Sequence, residues 1–135
     1  MTTLYDLSVG TFSRIVTASR GVLAKGREFA EAAGRDPNEL VGVKLCDDML
    51  PLLFQIYSIR HQSVGAIKAL ETGEFGPPSG VDPVDYAGLE AILEDAETAL
   101  AATTPDEVNG HAGDTVIFRL SGMEVPFTAE NFILS

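Results

Sequence analysis

The chain has 135 residues, about the size of one domain. Its formal net charge of -11, from 20 acidic and 9 basic residues, argues against nucleic acid or an anionic membrane as a partner. No apolar run reaches the length of a membrane-spanning helix and the amino end carries no secretory signal, so we expect a cytoplasmic protein. The single cysteine, Cys46, excludes an internal disulfide and a cysteine-only zinc site.

Charge is distributed unevenly along the chain. Residues 1–68 hold seven carboxylates and eight basic groups, whereas residues 69–135 hold thirteen carboxylates and Arg119 as the one basic residue. One interpretation is a solvated acidic helix face that keeps the protein in solution. The other is that the acidic half faces basic groups that are supplied from outside this chain.

Apolar residues at intervals of three and four predict a first helix over residues 8–33. Ser8 is its predicted N-cap, and Gly34 is the predicted residue just beyond its carboxyl end. The helix contains three interior glycines: Gly10, Gly21 and Gly26. Because each costs about 0.5–1 kcal/mol relative to alanine, we expect a neighbouring helix to pack closely against them.

A second long helix is predicted to begin at Asp47 or Asp48 and to end at residues 72–73. The two carboxylates suit the positive end of the helix dipole, and Pro51 is tolerated in a first turn. Before this helix, residues 36–39 have the order of a capping box and predict a short helical turn.

A segment rich in glycine and proline, residues 73–80, predicts a surface loop between two helices. The capping pattern of residues 82–85 then opens a third helix that runs to about Ala102, and residues 104–107 predict one more capped turn. The outer face of the predicted third helix is acidic, with Glu90, Glu94, Asp95 and Glu97.

The carboxyl-terminal part predicts a small hairpin and a helix start. Residues 115–120 and 123–127 are rich in β-branched and aromatic residues and flank the two-residue turn 121–122. Because Pro126 lacks an N–H donor, the second strand is predicted to lie at a sheet edge. Residues 128–131 resemble a helix start. Three helices and a hairpin leave apolar stripes uncovered, so a fourth helix is expected on physical grounds.

Three parts of the chain carry a resemblance to a known family. These are residues 4–9, the string from Lys44 to Leu52 followed by Gln55, and residues 127–129 after the hairpin. Together they resemble the domain-of-unknown-function family numbered nineteen-ninety-three, in the DinB-like superfamily. The resemblance implies one mainly α domain over residues 1–135, an antiparallel DinB-like four-helix bundle with a small β-hairpin before the fourth helix.

Family members typically continue past the position of Ser135 with a further helix that is aromatic, contains a histidine and ends in a basic tail. The resemblance therefore implies that this domain is incomplete at its carboxyl terminus, with a truncated fourth helix. The open core and the unbalanced acidic half agree with that expectation. The family's biochemical activity is unsettled.

Many DinB-like proteins hold a divalent metal with three histidines, and this sequence departs from that pattern. His61 is placed on a predicted helix face, whereas His111 falls in a loop. A transition-metal site needs three or four converging ligands. We therefore predict no metal site and no cofactor, and we interpret His61 as a hydrogen-bonded, partly buried side chain.

The catalytic candidates are equally sparse. Asp47 and Asp48 suit a general-base pair, but helix capping explains them better. Cys46 is a candidate thiolate nucleophile or, more commonly, a small buried side chain. The sequence has no phosphate-binding glycine loop, no Gly-x-Ser-x-Gly elbow and no HExxH pair. No catalytic residue is assigned, and whether the protein is an enzyme stays open.

The function predicted from these features is binding of a small apolar or amphipathic molecule between the helices. The candidate ligand-binding residues are Tyr5, Asp48, Gln55, Tyr57 and His61. Two alternatives remain open: a metal-assisted transferase or hydrolase or a biosynthetic isomerase of the DinB-like type, and a self-association module. We also expect a homodimer through an exposed face of the bundle.

Overall fold

The computed structural model describes residues 1–135 as a mainly helical domain with a small three-stranded sheet. The helices are α1 (Thr11–Ala32), α2 (Leu52–Thr72), α3 (Tyr86–Ala102), α4 (Pro105–Asn109) and α5 (Ala129–Leu134). The strands are β1 (Glu74–Phe75), β2 (Thr115–Leu120) and β3 (Met123–Thr128). None of the helices combines the length and the apolar character needed to cross a membrane.

Helix α3 is the centre of the core, because it packs against both α1 and α2 while those two helices barely touch each other. Its buried side chains recur at intervals of three and four: Tyr86, Leu89, Leu93, Ala96 and Leu100. Burial of each large apolar side chain stabilises the fold by about 1.5–3 kcal/mol. Helix α1 meets this surface with Val16, Leu23 and Ala30, and a gap remains on the far side, between α1 and α2.

The predicted hairpin is present. β2 and β3 pair antiparallel, from Thr115 opposite Thr128 to Leu120 opposite Met123. Ser121 and Gly122 form the turn with φ of 48° and 83°, as a two-residue hairpin turn with two positive φ angles requires. β3 lies at the edge of the sheet, as Pro126 predicts.

One strand was not predicted from the sequence. Residues 73–80, expected to be a loop throughout, contain β1, which pairs parallel to β2 with Phe75 beside Phe118. A two-residue strand is too short to show the alternating pattern by which strands are recognised. This pairing fixes the segment after α2 against the hairpin.

The predicted start of α2 is wrong. Asp47 and Asp48 are exposed and lie in turns before the helix, which begins at Leu52 with Pro51 as an N-cap residue that makes no side-chain capping bond. The physical reason is Pro51 itself, since a proline disfavours the helical conformation of the residue that precedes it. Cys46 shares this segment and is exposed, so its predicted burial is also wrong.

The start of α1 also differs from the prediction. Ser8 is not an N-cap: it is buried within a π-helical turn, Asp6–Gly10, and donates a 2.7 Å hydrogen bond to the Leu4 carbonyl oxygen. The predicted carboxyl end of α1 is confirmed, because Gly34 has a φ of 68° and follows the last turn of the helix. For α3 the N-cap is Asp85 rather than Asp82.

Two further helix starts are confirmed. Thr104 and Glu107 form a reciprocal capping box at α4, and the Thr128 hydroxyl accepts from the Asn131 amide at α5. The prediction for the interior glycines of α1 holds for Gly26, where a Cβ would overlap the Tyr86 hydroxyl. At Gly21 no heavy atom lies within 4 Å of such a Cβ.

Part of the acidic half pairs with basic residues of the same chain. Arg20 on α1 forms a 2.8 Å ion pair with Glu97 on α3, and Arg27 pairs with Glu90 about two helical turns further along α1. Glu94 remains exposed on the outer face of α3. Some of these carboxylates are therefore solvated, as the first interpretation expects, while others meet cations of this same chain rather than cations supplied from outside it.

Candidate functional site

The largest concave feature is the gap between the two helices that α3 separates. We call it the α1–α2 groove, and it has three consecutive parts. The first part lies nearest the sheet, the second is the middle of the groove, and the third is its far end. Phe12 and Gln62 line both the first and the second part, and Gln55 lines both the second and the third. The third part is lined almost wholly by apolar side chains, among them Val22, Leu45 and Met49.

The first part is a cleft of about 390 Å³ in which five phenylalanines converge, and we call it the phenylalanine cleft. The five are Phe12, Phe75, Phe118, Phe127 and Phe132. Ala66 and Ile133 complete the apolar lining, while Gln62 and Ser135 are the polar side chains. No charged side chain lines this cleft.

Each ring is supplied by a different element, and the sheet register brings the strand residues together. Phe75 of β1 pairs with Phe118 of β2, and Phe127 of β3 pairs with Val116, whose side chain shares a sheet face with Phe118. The Phe75 ring lies 6.4 Å from the Phe118 ring and meets the Phe132 ring edge-on at 5.1 Å. Such aromatic pairs hold the rings in defined orientations.

His61, a predicted binding residue, lies behind this wall and does not line the cleft. Its Nε2 is 2.6 Å from the Gly76 carbonyl oxygen, and its ring stacks on Phe75 with centroids 4.5 Å apart. Since a carbonyl oxygen only accepts, Nε2 carries the proton of this bond. His61 therefore holds β1 and Phe75 in place, which agrees with its interpretation as a hydrogen-bonded, partly buried histidine.

The other predicted binding residues lie in separate places. The Tyr57 hydroxyl contacts the Gly80 carbonyl at 3.5 Å, on the same face of α2 as His61. Gln55 lines the α1–α2 groove beyond the cleft, and its amide donates to the Leu50 carbonyl at 3.1 Å. Tyr5 packs at the start of α1, where its backbone amide donates to Asn109. Asp48 is exposed in the turn before α2.

Candidate metal ligands do not converge. No group of three or more His, Cys, Asp or Glu side chains is placed to hold a metal ion. The Nδ1 atom of His111 is 3.0 Å from an Asp114 carboxylate oxygen in the loop after α4. The Nε2 atom of His61, by contrast, is already hydrogen-bonded to the Gly76 carbonyl oxygen.

Packing alters the proton affinity of Tyr86, which lies on α3 at the rim of the α1–α2 groove. Tyr86 is 1% exposed, and its hydroxyl donates to the Leu23 carbonyl oxygen at 2.6 Å. Burial raises the pKa of the Tyr86 hydroxyl, and the carboxylate of Glu90 raises it further. The Arg27 guanidinium, 5.3 Å from the Tyr86 ring centroid, acts in the opposite direction. Tyr86 thus stays protonated and joins α3 to α1.

Sequence reasoning missed the phenylalanine cleft. The sequence feature that could have indicated the cleft is the two-residue spacing of Val116 and Phe118, which places both side chains on the inner face of the hairpin. The partner rings, Phe12 and Phe75, lie more than forty residues earlier in the chain and come from elements without a shared pattern. Their convergence depends on the parallel pairing of β1, which was not predicted.

Comparison with known proteins identifies a solved structure of similar architecture and a matching family model. A crystal structure of a DinB family member protein from Shewanella denitrificans is similar, with a TM-score of 0.73 and 22% sequence identity. The match covers 97% of this chain and 74% of that chain. No curated protein matches the sequence. The family model described as domain of unknown function (DUF1993) matches residues 4–135, so the chain belongs to this family.

Proposed function

We propose that the protein binds a small, uncharged amphipathic molecule in the phenylalanine cleft. The observation that supports this proposal is the convergence of five phenylalanine rings on one open cleft. A volume of about 390 Å³ lies within the usual range for small-molecule sites. Sites of this kind combine a mostly apolar lining with a few polar groups.

The polar groups indicate the chemistry of the ligand. Gln62 and Ser135 are exposed at the cleft and carry neutral donors and acceptors. They suit a hydroxyl, amide or carbonyl at one end of an apolar body. An anionic ligand would meet no basic partner in the cleft and would approach a protein of net charge -11.

We also propose that α5 takes the fourth-helix position of an antiparallel four-helix bundle. α5 follows the hairpin directly, and its Phe132 is buried where the gap between α1 and α2 begins. With six residues α5 spans about 9 Å, whereas α1 spans about 33 Å. In this arrangement α5 closes the end of the gap and forms one wall of the phenylalanine cleft.

The binding proposal is tested with the neutral fluorescent probe N-phenyl-1-naphthylamine. We expect saturable binding with one site per chain, and displacement by a medium-chain alcohol. Phe118→Ala removes one wall and should weaken binding about tenfold, since a buried phenylalanine contributes about 1.5–3 kcal/mol. Phe54→Ala is the matched control, because Phe54 is half-buried on α2 and does not line the cleft.

A second pair of variants leaves the core untouched. Gln62→Trp places a large ring at the mouth of the cleft and should block the probe, whereas Arg60→Trp changes an exposed residue of α2 outside the cleft. Equal binding by both tryptophan variants, or a lack of saturation in the wild-type protein, would contradict the proposal. Far-ultraviolet circular dichroism checks that each variant keeps its helices.

A further inference from the structure

Helix α1 presents an apolar stripe to solvent on a side that faces neither α3 nor the sheet. Its members are Ile15, Val22 and Phe29, which are 51%, 68% and 66% exposed. They are spaced seven residues apart, so they lie one above another on the helix surface. Ile15 and Val22 also border the α1–α2 groove, of which α5 covers one end.

We propose that a second copy of this chain covers the stripe, with the two α1 helices packed antiparallel about a two-fold axis at Val22. The stripe is symmetric about its central residue, since Ile15 and Phe29 each lie seven positions away. A two-fold axis there places Ile15 against the partner's Phe29 and Val22 against the partner's Val22. A closed dimer with a self-complementary surface results.

The charges beside the stripe have the same symmetry. Arg14 and Glu28 immediately precede Ile15 and Phe29, are exposed, and form no ion pair within the chain. In the antiparallel dimer Arg14 lies opposite the partner's Glu28, and the two-fold axis repeats the pair. A parallel two-fold dimer would instead keep Arg14 and the partner's Glu28 fourteen residues apart along the helix axis, so this ion pair could not form. Charge complementarity therefore selects the antiparallel second copy.

Gly21 supports the same interface. It lies in the interior of α1 next to Val22, and no heavy atom of its own chain is within 4 Å of the position of an added Cβ. An interior glycine costs a helix about 0.5–1 kcal/mol relative to alanine. Packing within one chain does not explain this residue, whereas a glycine beside the two-fold axis lets two helix backbones approach closely.

The test is sedimentation equilibrium of the full chain from low to high micromolar concentration. We expect the average mass to rise from 14.3 kDa toward twice that value. Val22→Glu places like charges at the axis and should raise the dimer dissociation constant by at least about tenfold. Val125→Glu, the same change at an exposed residue of β3, should leave it unchanged.

Charge reversal tests the register separately. Arg14→Glu alone should raise the dissociation constant by about threefold or more, because it sets two carboxylates against each other twice per dimer. The double variant with Arg14→Glu and Glu28→Arg should restore wild-type association. A wild-type protein that stays at 14.3 kDa, a Val22→Glu dimer of unchanged affinity, or a double variant that is not restored would each overturn the proposal. All three positions are exposed, so these variants do not disturb the core.

Discussion

The Tyr86 hydroxyl of α3 donates a 2.6 Å hydrogen bond to the Leu23 carbonyl oxygen of α1, and it fills the space beside Gly26. This single contact explains both a glycine in the interior of a helix and the burial of a tyrosine at a helix start. It also joins α3 to α1 at the point where both helices line the α1–α2 groove.

Gly26→Ala is expected to destabilise the protein. The added Cβ overlaps the Tyr86 hydroxyl, which costs about 1–3 kcal/mol, while the helix propensity of alanine offsets up to about 1 kcal/mol. With Tyr86→Phe in the background the hydroxyl is gone, and the same change should be neutral or stabilising. Urea unfolding of the four proteins in this cycle measures the coupling. Equal effects of Gly26→Ala in both backgrounds would refute the contact.

Stability is expected to fall at alkaline pH because of the same tyrosine. Burial raises the pKa of Tyr86 above its ordinary value of 10.0, so the native state holds this proton more tightly than the unfolded chain. The contribution is complete below pH 10.0 and is lost as the pH rises through the raised pKa. Tyr86→Phe should remove this part of the alkaline decline in urea-unfolding free energy. An identical alkaline slope in both proteins would contradict the assignment.

The Thr128 cap is expected to control the phenylalanine cleft through α5. Its hydroxyl accepts from the Asn131 amide, and α5 supplies Phe132 and Ile133 to the cleft wall. Thr128→Ala should cost about 0.5–2 kcal/mol and weaken binding of N-phenyl-1-naphthylamine. Thr128→Asp keeps an N-cap acceptor and should preserve both properties. If the alanine variant binds the probe as the wild type does, α5 does not shape the cleft.

His61 is expected to act on the cleft through Phe75. Its Nε2 donates a hydrogen bond to the Gly76 carbonyl oxygen, and its ring stacks on Phe75. His61→Ala should therefore increase amide hydrogen exchange in β1 and in residues 76–80, and weaken probe binding. His61→Gln keeps a donor and should retain part of the protection. Unchanged exchange in this segment of the alanine variant would show that His61 has no anchoring role.

The sequence predicted the long helices because their apolar residues repeat at helical spacing over many turns, as along α3. It also predicted the hairpin turn at Ser121 and Gly122, from the strand-like segments on either side and from Gly122, which suits a positive φ angle. These features are local. The start of α2 was misplaced because the dipole argument for Asp47 neglected the effect of Pro51 on the residue before it.

The candidate site was less accessible to sequence reasoning because its residues are far apart in the chain. Polar and aromatic positions on α2 were singled out, and of these Gln55 lies in the α1–α2 groove while His61 supports the cleft from behind. The cleft itself is built from Phe12, Phe75 and the hairpin rings. Those rings meet through tertiary packing, of which single-sequence periodicity carries no signal.

The most direct test of the binding proposal is an aromatic carbon–proton NMR titration of phenylalanine-labelled protein with N-phenyl-1-naphthylamine. The chain has seven phenylalanines, five in the cleft and two, Phe29 and Phe54, outside it. We predict that the ring signals of the five shift with one common saturation curve while the other two stay in place. Shifts confined to Phe29 and Phe54, or an absence of shifts at probe saturation, would contradict binding in the phenylalanine cleft.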